Sequence, residues 1–381
     1  RQAAKEIISS QPPKAKPPFI ERILNLPFVR PLIKPTLVKQ VASKARKEHY
    51  PAPYAMIDLW ARYGGSPKTG YAAEAKSFSE LMCTPTSRNL VRVFFLQNRL
   101  KGQGNKPATK VSRVHVIGAG VMGGDIAAWC ALRGLEVTLQ DREQKYVDPA
   151  MQRAQKLFAK RVRDPDDRAA TSARLTSDVA GNGVADADLI IEAIFENLEA
   201  KKALYKEIEK TMKPGAILAT NTSSIKLEDL RTDLREPERF IGIHFFNPVA
   251  LMPLVEIVRC DDTAQDALDI GFSFVKGIGK FPLECKSSPG FVVNRILAPY
   301  MSEAMQLVQE GVGLADIDEA AVAFGMPMGP VELVDSVGLD VVLHVSQVLG
   351  AKMDGPVPEK LTAMVEAGHL GRKSGRGFYE W

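Results

Sequence analysis

A histidine and a glutamate in the segment HFFNPVALMPLVE have the spacing and surroundings that proton transfer requires. His244 ends the apolar run RFIGIH, and Glu256 lies in a second apolar run, LVEIV. The Asn-Pro and Met-Pro pairs between them predict a turn, after which the second run forms another strand. An imidazole titrates near neutral pH, and a carboxylate on its second nitrogen would fix the tautomer and stabilise the cation. The pair therefore predicts a general base and its orienting partner.

A glycine-rich turn upstream indicates the cofactor that such a base would serve. In VHVIGAGVMGGDIA, Gly118, Gly120 and Gly123 match the Gly-x-Gly-x-x-Gly pattern between a predicted strand and a predicted helix. The first two glycines permit a tight turn against a pyrophosphate, the third lets the helix pack on the strand, and the helix N-terminus favours an anion. Asp141 ends the next strand, VTLQD, 18 residues beyond Gly123, where a carboxylate binds ribose hydroxyls and repels a 2′-phosphate. NAD is therefore predicted over NADP, although Arg142 weakens the distinction.

Each of these features has a purely structural alternative. A histidine beside two phenylalanines is typical of a buried core position, and a glycine turn can serve only to pack a helix on a strand. The two features together favour removal of a proton from an alcohol while a hydride leaves the same carbon. That is the chemistry of a nicotinamide-dependent dehydrogenase.

The composition is that of a soluble globular protein. The chain has 381 residues, enough for two or three domains, with 45% hydrophobic and 25% charged residues. It lacks an uninterrupted apolar run of about 18 residues, so no membrane span is predicted. Its four cysteines form no Cys-x-x-Cys pair and have no histidine cluster nearby, which predicts reduced thiols and no metal site.

Charge is distributed unevenly along the chain. Residues 1–110 hold 20 Lys and Arg against 6 Asp and Glu, a net charge of +14, whereas the remainder has a net charge of −9. A basic arm suits nucleic acid, a membrane surface or an anionic ligand, but this one has no nucleic-acid-binding motif. We therefore predict no nucleic-acid partner and interpret the arm as a solvated linker.

Three regions of different composition predict the domain organisation. Residues 1–110 contain 12 of the 25 prolines, and stretches such as QPPKAKPPF and LPFVRPLIKP predict a linker with interrupted helices, at Leu37–Lys47 and about Ala72–Leu100. Residues 111–287 alternate β-branched runs with helical segments, which predicts a Rossmann-type α/β domain, with a mostly parallel sheet and helices on both faces. Residues 288–381 carry apolar residues at helical spacing and predict an all-α domain.

The motifs of the last two regions resemble 3-hydroxyacyl-CoA dehydrogenase, and more narrowly the dehydrogenase part of multifunctional fatty-acid β-oxidation enzymes. The matching stretches are VIGAGVMGGDIA, IEAIFEN, ATNTSSI, GIHFFNPV with MPLVE, SPGFVVNRIL, MPMGPVELVDSVGLD and GRKSGRGFYEW, from about Val111 to Trp381. In the arm, HYPAPYAMIDL and SFSELMCTPTSRNLVRVFF resemble the connector that follows an enoyl-CoA hydratase domain. The resemblance implies that the full chain also carries a hydratase domain and a second helical domain.

The resemblance implies roles for four catalytic residues. His244 would be the base and Glu256 its partner, while Ser223 and Asn294 would hold the thioester carbonyl or the hydroxyl of the substrate. Donors at the reacting oxygen stabilise the charge that develops there. On spacing alone, helix capping by Ser223 and Asn221, or a buried amide at Asn294, fits equally well.

The resemblance also implies a set of cofactor-binding residues: Gly118, Gly120, Met122, Gly123, Asp141, Glu196, Lys201, Ser223 and Asn247. Without it, Lys201 would be interpreted as a surface lysine of the helix EAKKALYKEIEK. Lys373, in GRKSG, would close over the site from the helical domain.

The implied reaction is the NAD-dependent oxidation of (3S)-3-hydroxyacyl-CoA to 3-ketoacyl-CoA in fatty-acid β-oxidation, with the acyl-CoA between the sheet and the helical domain. Two alternatives stay open: a dehydrogenase of a related short 3-hydroxy acid or its CoA ester, such as 3-hydroxybutyryl-CoA, and a non-catalytic NAD-binding scaffold. The bacterial cytoplasm is the expected compartment, with the peroxisome as the alternative for a eukaryotic chain. An uncovered helical face would favour a homodimer. Whether the basic arm contacts CoA phosphates stays open.

Overall fold

The computed structural model describes residues 2–10, 18–64, 67–107, 109–343, 346–347 and 359–381. The chain divides into two compact units, Arg1–Leu96 and Gln97–Trp381. Within the described ranges, no helix combines the length and the apolar content that a membrane span needs. The domain boundaries that we expect near residues 110 and 287 remain predictions.

The described part of the first unit is mainly helical. Its helices are α1 (Gln2–Ser10), α2 (Phe19–Leu24), α3 (Arg30–Ala42), α4 (Pro51–Tyr63), α5 (Pro67–Met82) and α6 (Pro85–Lys101), the last of which continues into the second unit. The guanidinium of Arg30 on α3 donates to the carbonyl of Trp60 on α4 at 2.9 Å. The hydroxyl of Tyr54 on α4 donates to the carbonyl of Ala45, in the segment just after α3, at 2.6 Å, so polar contacts link α4 both to α3 and to the segment that follows it.

The prolines of LPFVRPLIKP do not interrupt the helix as we expected. Helix α3 begins at Arg30 and contains both Pro31 and Pro35. Pro31 lies in the first turn, where a backbone amide has no helical acceptor, and Pro35 removes a single hydrogen bond. The prediction of interrupted helix is therefore wrong only over Arg30–Ala42, and the helix predicted at Leu37–Lys47 begins earlier and ends earlier than expected. Most of QPPKAKPPF lies outside the described residues.

The long helix predicted at about Ala72–Leu100 is in fact two helices, α5 and α6. Pro85 begins α6, and the hydroxyl of Thr84 accepts a hydrogen bond from the amide of Ser87 at 3.1 Å. A capping hydroxyl followed by proline is a strong start signal for a helix, which explains the break.

The described residues of the second unit form one sheet of eight strands. The strands are β1 (Arg113–Ile117), β2 (Glu136–Gln140), β3 (Leu175–Ser177), β4 (Leu189–Glu192), β5 (Ile217–Thr220), β6 (Phe240–Phe245), β7 (Leu254–Arg259) and β8 (Phe281–Lys286). Their order is β3-β2-β1-β4-β5-β6-β7-β8, and only the β6–β7 pair is antiparallel. The mostly parallel sheet is confirmed, and its strand order reverses between β1 and β4, as in Rossmann-type domains.

Helices cover both faces of this sheet. They are α7 (Val121–Leu132), α8 (Gln144–Arg161), α9 (Pro165–Ala173), α10 (Leu198–Ile208), α11 (Leu227–Leu230) and α12 (Gln265–Gly277), with short 3-10 helices at Asn182–Ala185 and Pro237–Arg239. Successive strand residues belong to different cores: Val116 belongs to the core that includes residues of α7, α8 and α12, whereas Ile117 belongs to the core that includes residues of α10 and α11. Burial on both faces explains the continuous apolar runs of these strands.

The C-terminal region is helical, as predicted. Its described elements are α13 (Val293–Gln309), α14 (Leu314–Phe324), α15 (Pro330–Val337), α16 (Glu359–Glu366) and a 3-10 helix at Arg372–Ser374. Their apolar faces form a separate core that includes Val331, Val334 and Leu361. This core has its own cluster of buried residues, distinct from the two clusters of the sheet.

A buried carboxylate anchors the final segment to this helical core. Asp335, which is 1% exposed, accepts hydrogen bonds from the amides of Phe378 and Tyr379, both at 2.8 Å, and from the indole of Trp381 at 2.9 Å. A Cβ atom on Gly377 would lie 2.2 Å from a carboxylate oxygen of Asp335. The glycines of GRKSGRG therefore let the chain approach this carboxylate.

We predict that Asp335→Ala lowers the free energy of unfolding by about 3 kcal/mol, because two half-buried main-chain amides and the indole of Trp381 lose their buried acceptor. Urea denaturation followed by tryptophan fluorescence measures this. Asp340→Ala is the matched control, because that partly exposed carboxylate pairs with Lys373, and it should cost less than about 1 kcal/mol. Equal losses in the two variants would contradict the anchoring role of Asp335.

Candidate active site

The sheet topology brings the predicted site residues to one edge. Strands β1, β4, β5 and β6 are parallel neighbours, so their carboxyl ends lie side by side. The glycine turn follows β1, Ser223 follows β5, and His244 is the penultimate residue of β6. The antiparallel strand β7 starts at the same edge and contributes Glu256.

A cleft of about 640 Å³ opens at the carboxyl ends of β1 and β4. Gly118, Gly120, Asp141, Lys145 and Phe195 are among the residues that line it. Its volume is typical of small-molecule sites, and it lies where the strand order reverses, which is where such sheets bind their ligands.

Two glycines in the turn are required by the backbone geometry. Gly118 has a φ of +104°, and a Cβ atom there would lie 2.5 Å from the carbonyl oxygen of Ala193. A Cβ atom on Gly123 would lie 1.8 Å from the carbonyl oxygen of Gly118, so only glycine lets α7 pack this close to β1. Gly120, which precedes α7, has no atom within 4 Å of its Cβ position. The space above the helix N-terminus is therefore open, which fits a pyrophosphate.

Asp141 closes this turn on the other side. One of its carboxylate oxygens accepts a hydrogen bond from the amide of Ala119 at 2.7 Å, and the other accepts from the amide of Arg142 at 2.7 Å. A carboxylate can accept up to about four hydrogen bonds, so capacity remains for ribose hydroxyls. The turn and Asp141 thus fit the adenosine and pyrophosphate parts of NAD. Met122 is half-buried and packs against the core, so its contact with the cofactor remains a prediction.

Glu196 organises the loop that carries Ser223. One oxygen of Glu196 accepts hydrogen bonds from the hydroxyl of Thr222, from the amides of Ser223 and Ser224, both at 3.1 Å, and from the hydroxyl of Ser224 at 2.9 Å. Burial raises the pKa of Glu196, but the ammonium of Lys201 and these donors outweigh burial and hold the pKa below its usual value. Glu196 therefore fixes the main chain on both sides of Ser223.

Lys201 is not a surface lysine, and that interpretation is wrong. It is 1% exposed, and its ammonium lies 2.7 Å from a carboxylate oxygen of Glu192 and 3.3 Å from one of Glu196. Burial of an ammonium is tolerated because two carboxylates surround it. Its expected contact with the cofactor remains a prediction.

Glu192, at the end of β4, is a buried residue that the sequence analysis missed. Its carboxylate accepts from Lys201, from the hydroxyl of Tyr205 at 2.7 Å and from the hydroxyl of Thr220 at 2.8 Å. Burial, followed by the charge of Glu192, raises the pKa of Tyr205 well above its usual value. The acidic residue within the otherwise apolar run LIIEA was the available signal, because strand carboxylates are rarely fully buried without partners.

The side chains of His244 and Glu256 are hydrogen-bonded, at the contact that the predicted turn between their strands implied. They lie opposite each other in the β6–β7 ladder, and Nδ1 of His244 is 2.8 Å from Oε2 of Glu256. Because a carboxylate accepts, Nδ1 carries the hydrogen and Nε2 is left as the nitrogen that can take a proton. The rings of Phe246 and Phe291 pack at the edges of the imidazole, with centroids 4.6 Å and 5.5 Å away.

The second oxygen of Glu256 reaches the helical region. Oε1 accepts hydrogen bonds from the amides of Val292 and Val293, at 2.9 Å and 2.8 Å, where α13 begins. Asn294 is the second residue of α13 and is half-buried. One fully buried carboxylate thus joins the imidazole to the start of the helix that carries Asn294.

The remaining predicted residues differ in burial. Ser223 is half-buried and Asn247 is exposed, in the turn after β6. The capping alternative is not what the structure has, because α11 begins only at Leu227 and the side-chain oxygen of Asn221 accepts from the amide of Phe245 at 2.9 Å. The roles of Ser223, Asn247 and Asn294 toward substrate or cofactor remain predictions.

The strand order reverses next to the glycine turn, and a buried imidazole and carboxylate lie at the same edge of the sheet. These features define a dinucleotide-dependent oxidoreductase. Models of the 3-hydroxyacyl-CoA dehydrogenase NAD binding domain and C-terminal domain match residues 113–288 and 290–381, so the chain belongs to the 3-hydroxyacyl-CoA dehydrogenase family. It is an NAD-dependent dehydrogenase, which confirms the predicted class and cofactor.

The chain is also similar to subunits of fatty acid oxidation complexes. The chain is 35% identical, over 353 residues and 90% of its length, to the fatty acid oxidation complex subunit alpha of Psychrobacter arcticus. It spans about half the length of the curated relatives it matches, 49% in this case.

Two solved structures are similar as well. M. tuberculosis FadB2 is 36% identical with a TM-score of 0.69, over 72% of this chain and 100% of that one. The (S)-3-hydroxybutyryl-CoA dehydrogenase PaaH1 of Ralstonia eutropha is 37% identical with a TM-score of 0.66, over 71% of this chain and 99% of that one. Each match therefore covers nearly the whole of the other chain and less than three quarters of this one.

We predict that Gly123→Ala weakens NAD binding at least tenfold and lowers the free energy of unfolding by about 2 kcal/mol, because the new methyl group overlaps a backbone carbonyl. Isothermal titration with NADH and urea denaturation measure the two effects. Gly277→Ala is the matched control in another helix, since a Cβ atom there meets nothing within 4 Å. That variant should bind NADH normally and be unchanged or up to about 1 kcal/mol more stable.

We predict that Lys201→Met lowers the free energy of unfolding by about 3–5 kcal/mol near neutral pH, because the buried carboxylate of Glu192 and the half-buried one of Glu196 lose their cation. Lys202→Met, on the same helix, should cost much less, since water screens its ion pair with the partly exposed Asp233. Because folding lowers the pKa of Glu196 below its usual value of 4.5, its carboxylate stabilises the folded state at pH values above 4.5. This stabilisation is lost as the pH falls through the lowered pKa. The deficit of Lys201→Met should therefore shrink in acid, and a deficit that is constant with pH would contradict this account.

Proposed function

We propose that the protein catalyses the NAD-dependent oxidation of (3S)-3-hydroxyacyl-CoA to 3-ketoacyl-CoA in fatty-acid oxidation. The observation that carries this proposal is the buried His244–Glu256 pair at the same sheet edge as the dinucleotide cleft. The glycine turn and Asp141 would hold NAD, which would supply the acceptor for the hydride of the carbinol carbon. The residues of the chain then have to bind the alcohol, remove its proton and stabilise the resulting oxygen.

In this proposal Nε2 of His244 removes the hydroxyl proton. The hydrogen on Nδ1 donates to Glu256, which orients the ring and stabilises the imidazolium that forms. Phe246 and Phe291 pack against the ring and keep water from its edges. Glu256, Phe246 and Phe291 thus fix the imidazole on three sides. Such an oriented base supports a catalytic role over a scaffold role, because binding of NAD alone requires no oriented imidazole.

Ser223 and Asn294 are proposed to donate hydrogen bonds to the substrate. Each is half-buried, and each lies next to a main chain that a carboxylate fixes: Glu196 for Ser223 and Glu256 for Asn294. Donors that are fixed before substrate binds stabilise developing charge on oxygen without reorganisation. Asn247, in the exposed turn after β6, is proposed to contact the nicotinamide, and the acyl-CoA is proposed to lie between the sheet and the helical region.

The relatives favour a fatty-acid oxidation context over a free hydroxy acid. The curated relatives are larger subunits of fatty acid oxidation complexes. We propose, by that similarity, that the whole protein also has an enoyl-CoA hydratase domain and a second helical domain, and that it acts in the bacterial cytoplasm. Homodimerisation through the helical region is a further proposal, which a monomer in sedimentation at micromolar concentrations would contradict.

A second candidate, 3-hydroxybutyryl-CoA as the preferred substrate, has support from one observation. The Ralstonia eutropha protein, of which the match covers 99%, is named for that four-carbon ester. Initial rates of NADH consumption with acetoacetyl-CoA, with longer 3-ketoacyl-CoA esters and with free acetoacetate distinguish the candidates. Turnover of the free acid at the rate of the esters would contradict a CoA-dependent function, and turnover of none would support a scaffold.

We predict that His244→Gln reduces turnover of acetoacetyl-CoA about 10²- to 10⁴-fold, the usual contribution of a general base, and leaves NADH affinity within about twofold. Stopped-flow or steady-state absorbance and NADH titration measure these quantities. His49→Gln, in the first unit, is the control and should behave as the parent protein. Full activity in His244→Gln would show that another group removes the proton.

A further inference from the structure

A buried lysine that contacts the turn after the candidate base has no part in the chemistry described above. Lys280 lies between α12 and β8 and is 4% exposed. Its ammonium donates hydrogen bonds to the carbonyls of Val249 and Met252, both at 2.6 Å. Both carbonyls belong to NPVALMP, the turn that connects His244 with Glu256 and carries Asn247.

The same ammonium also contacts the helix that begins at the glycine turn. Nζ of Lys280 lies 4.6 Å from the centre of the Trp129 ring on α7, a cation–π distance. The indole of Trp129 donates to the carbonyl of Ile278 at 3.0 Å, which fixes the ring. Lys280 therefore links the turn after β6 to the helix at the phosphate end of the cleft.

The surroundings of Lys280 make burial of its ammonium unfavourable, more so than burial of an apolar side chain with a purely structural role would be. Among the described residues, no carboxylate lies within ion-pair distance of its ammonium. Burial lowers the pKa of Lys280 to about 8; the Cys130 thiol of α7 opposes this shift, and Arg133, just after α7, reinforces it. The other charged group at the turn is Arg161 of α8, which donates to the carbonyl of Ala250 at 3.4 Å.

A methionine would fill the same space against Trp129 without the desolvation of a charge. What an ammonium adds is directional: it fixes two carbonyls that are three residues apart and so determines the conformation of the turn. The turn carries no charged side chain of its own, and Asn247 is exposed at its start. The position of Asn247 relative to His244 thus depends on the contacts of Lys280.

We propose that Lys280 is a positioning residue that holds the turn carrying Asn247 and thereby orients the nicotinamide half of the cofactor toward His244. This inference rests on the role of Asn247 in the proposed function. Lys280 touches neither substrate nor cofactor in this account and acts through the turn.

Kinetics of Lys280→Met give the first test. We expect kcat with acetoacetyl-CoA to fall about 10- to 100-fold, because small misplacements of reacting groups have effects of that size, while KM for the ester changes less than about threefold. Lys280→Arg should recover a large part of kcat because it keeps the charge. Lys276→Met is the matched control, since that ammonium also donates to one carbonyl, that of Gln103 at 2.6 Å, but does not contact the turn.

Binding gives a second test that is independent of turnover. Titration of Lys280→Met with NADH and with ADP-ribose, which lacks the nicotinamide, should show a loss of about tenfold for NADH and no loss for ADP-ribose. Equal losses for both ligands, or a lower unfolding temperature with unchanged kcat, would overturn the proposal. A parent protein that binds NADH but turns over no substrate would instead contradict the proposed function and leave this test intact.

The parent protein provides a third test, which applies even if Lys280→Met fails to fold. The ratio of NADH affinity to ADP-ribose affinity should fall as the pH rises through about 8, where the ammonium of Lys280 loses its proton. In Lys280→Arg the ratio should stay constant, because a guanidinium keeps its charge over this range. A ratio in the parent protein that does not change with pH would contradict the proposal.

Discussion

The carboxylate of Glu256 is the constraint on which the active-site edge depends. A fully buried carboxylate needs donors, and here three are supplied, by the imidazole of His244 and by the amides of Val292 and Val293. The sheet alone satisfies only one oxygen of Glu256, and the start of α13 satisfies the other. The same carboxylate therefore orients the base and attaches the start of α13 to the sheet.

Other buried charges at the same edge follow a similar rule. Glu192, Lys201 and Glu196 form a chain of ionic contacts that ends on the loop of Ser223, and Lys280 holds the turn of Asn247. Each desolvated charge is compensated by partners on a loop at the carboxyl ends of the strands. Apolar packing would stabilise the sheet at lower cost, but it would not fix main-chain atoms in direction. The charges are thus placed where the loops need a defined conformation.

The sequence allowed the fold class, the cofactor turn and the His244–Glu256 contact to be predicted because each depends on local rules. Alternation of strands and helices defines the sheet, the glycine spacing defines the turn, and proline pairs define the return of the chain to β7. The burial of Lys201 could not be predicted, because its two carboxylate partners approach it only after β4 and α10 have packed. The helix across Pro35 was not predicted for a different reason. The helix-breaking tendency of proline is a local property, and it takes no account of the packing of α3 on α4.

The fixed pairing of β6 and β7 has a consequence for how this region tolerates change in evolution. His244 faces Glu256 in an antiparallel ladder, in which neighbouring side chains alternate between the two faces. An insertion or deletion of one residue inside either strand would rotate one partner to the opposite face, whereas a change of length in the intervening loop would leave the ladder unaltered. The two strands should therefore tolerate a change of length less readily than the loop does, because only a change within a strand separates His244 from Glu256.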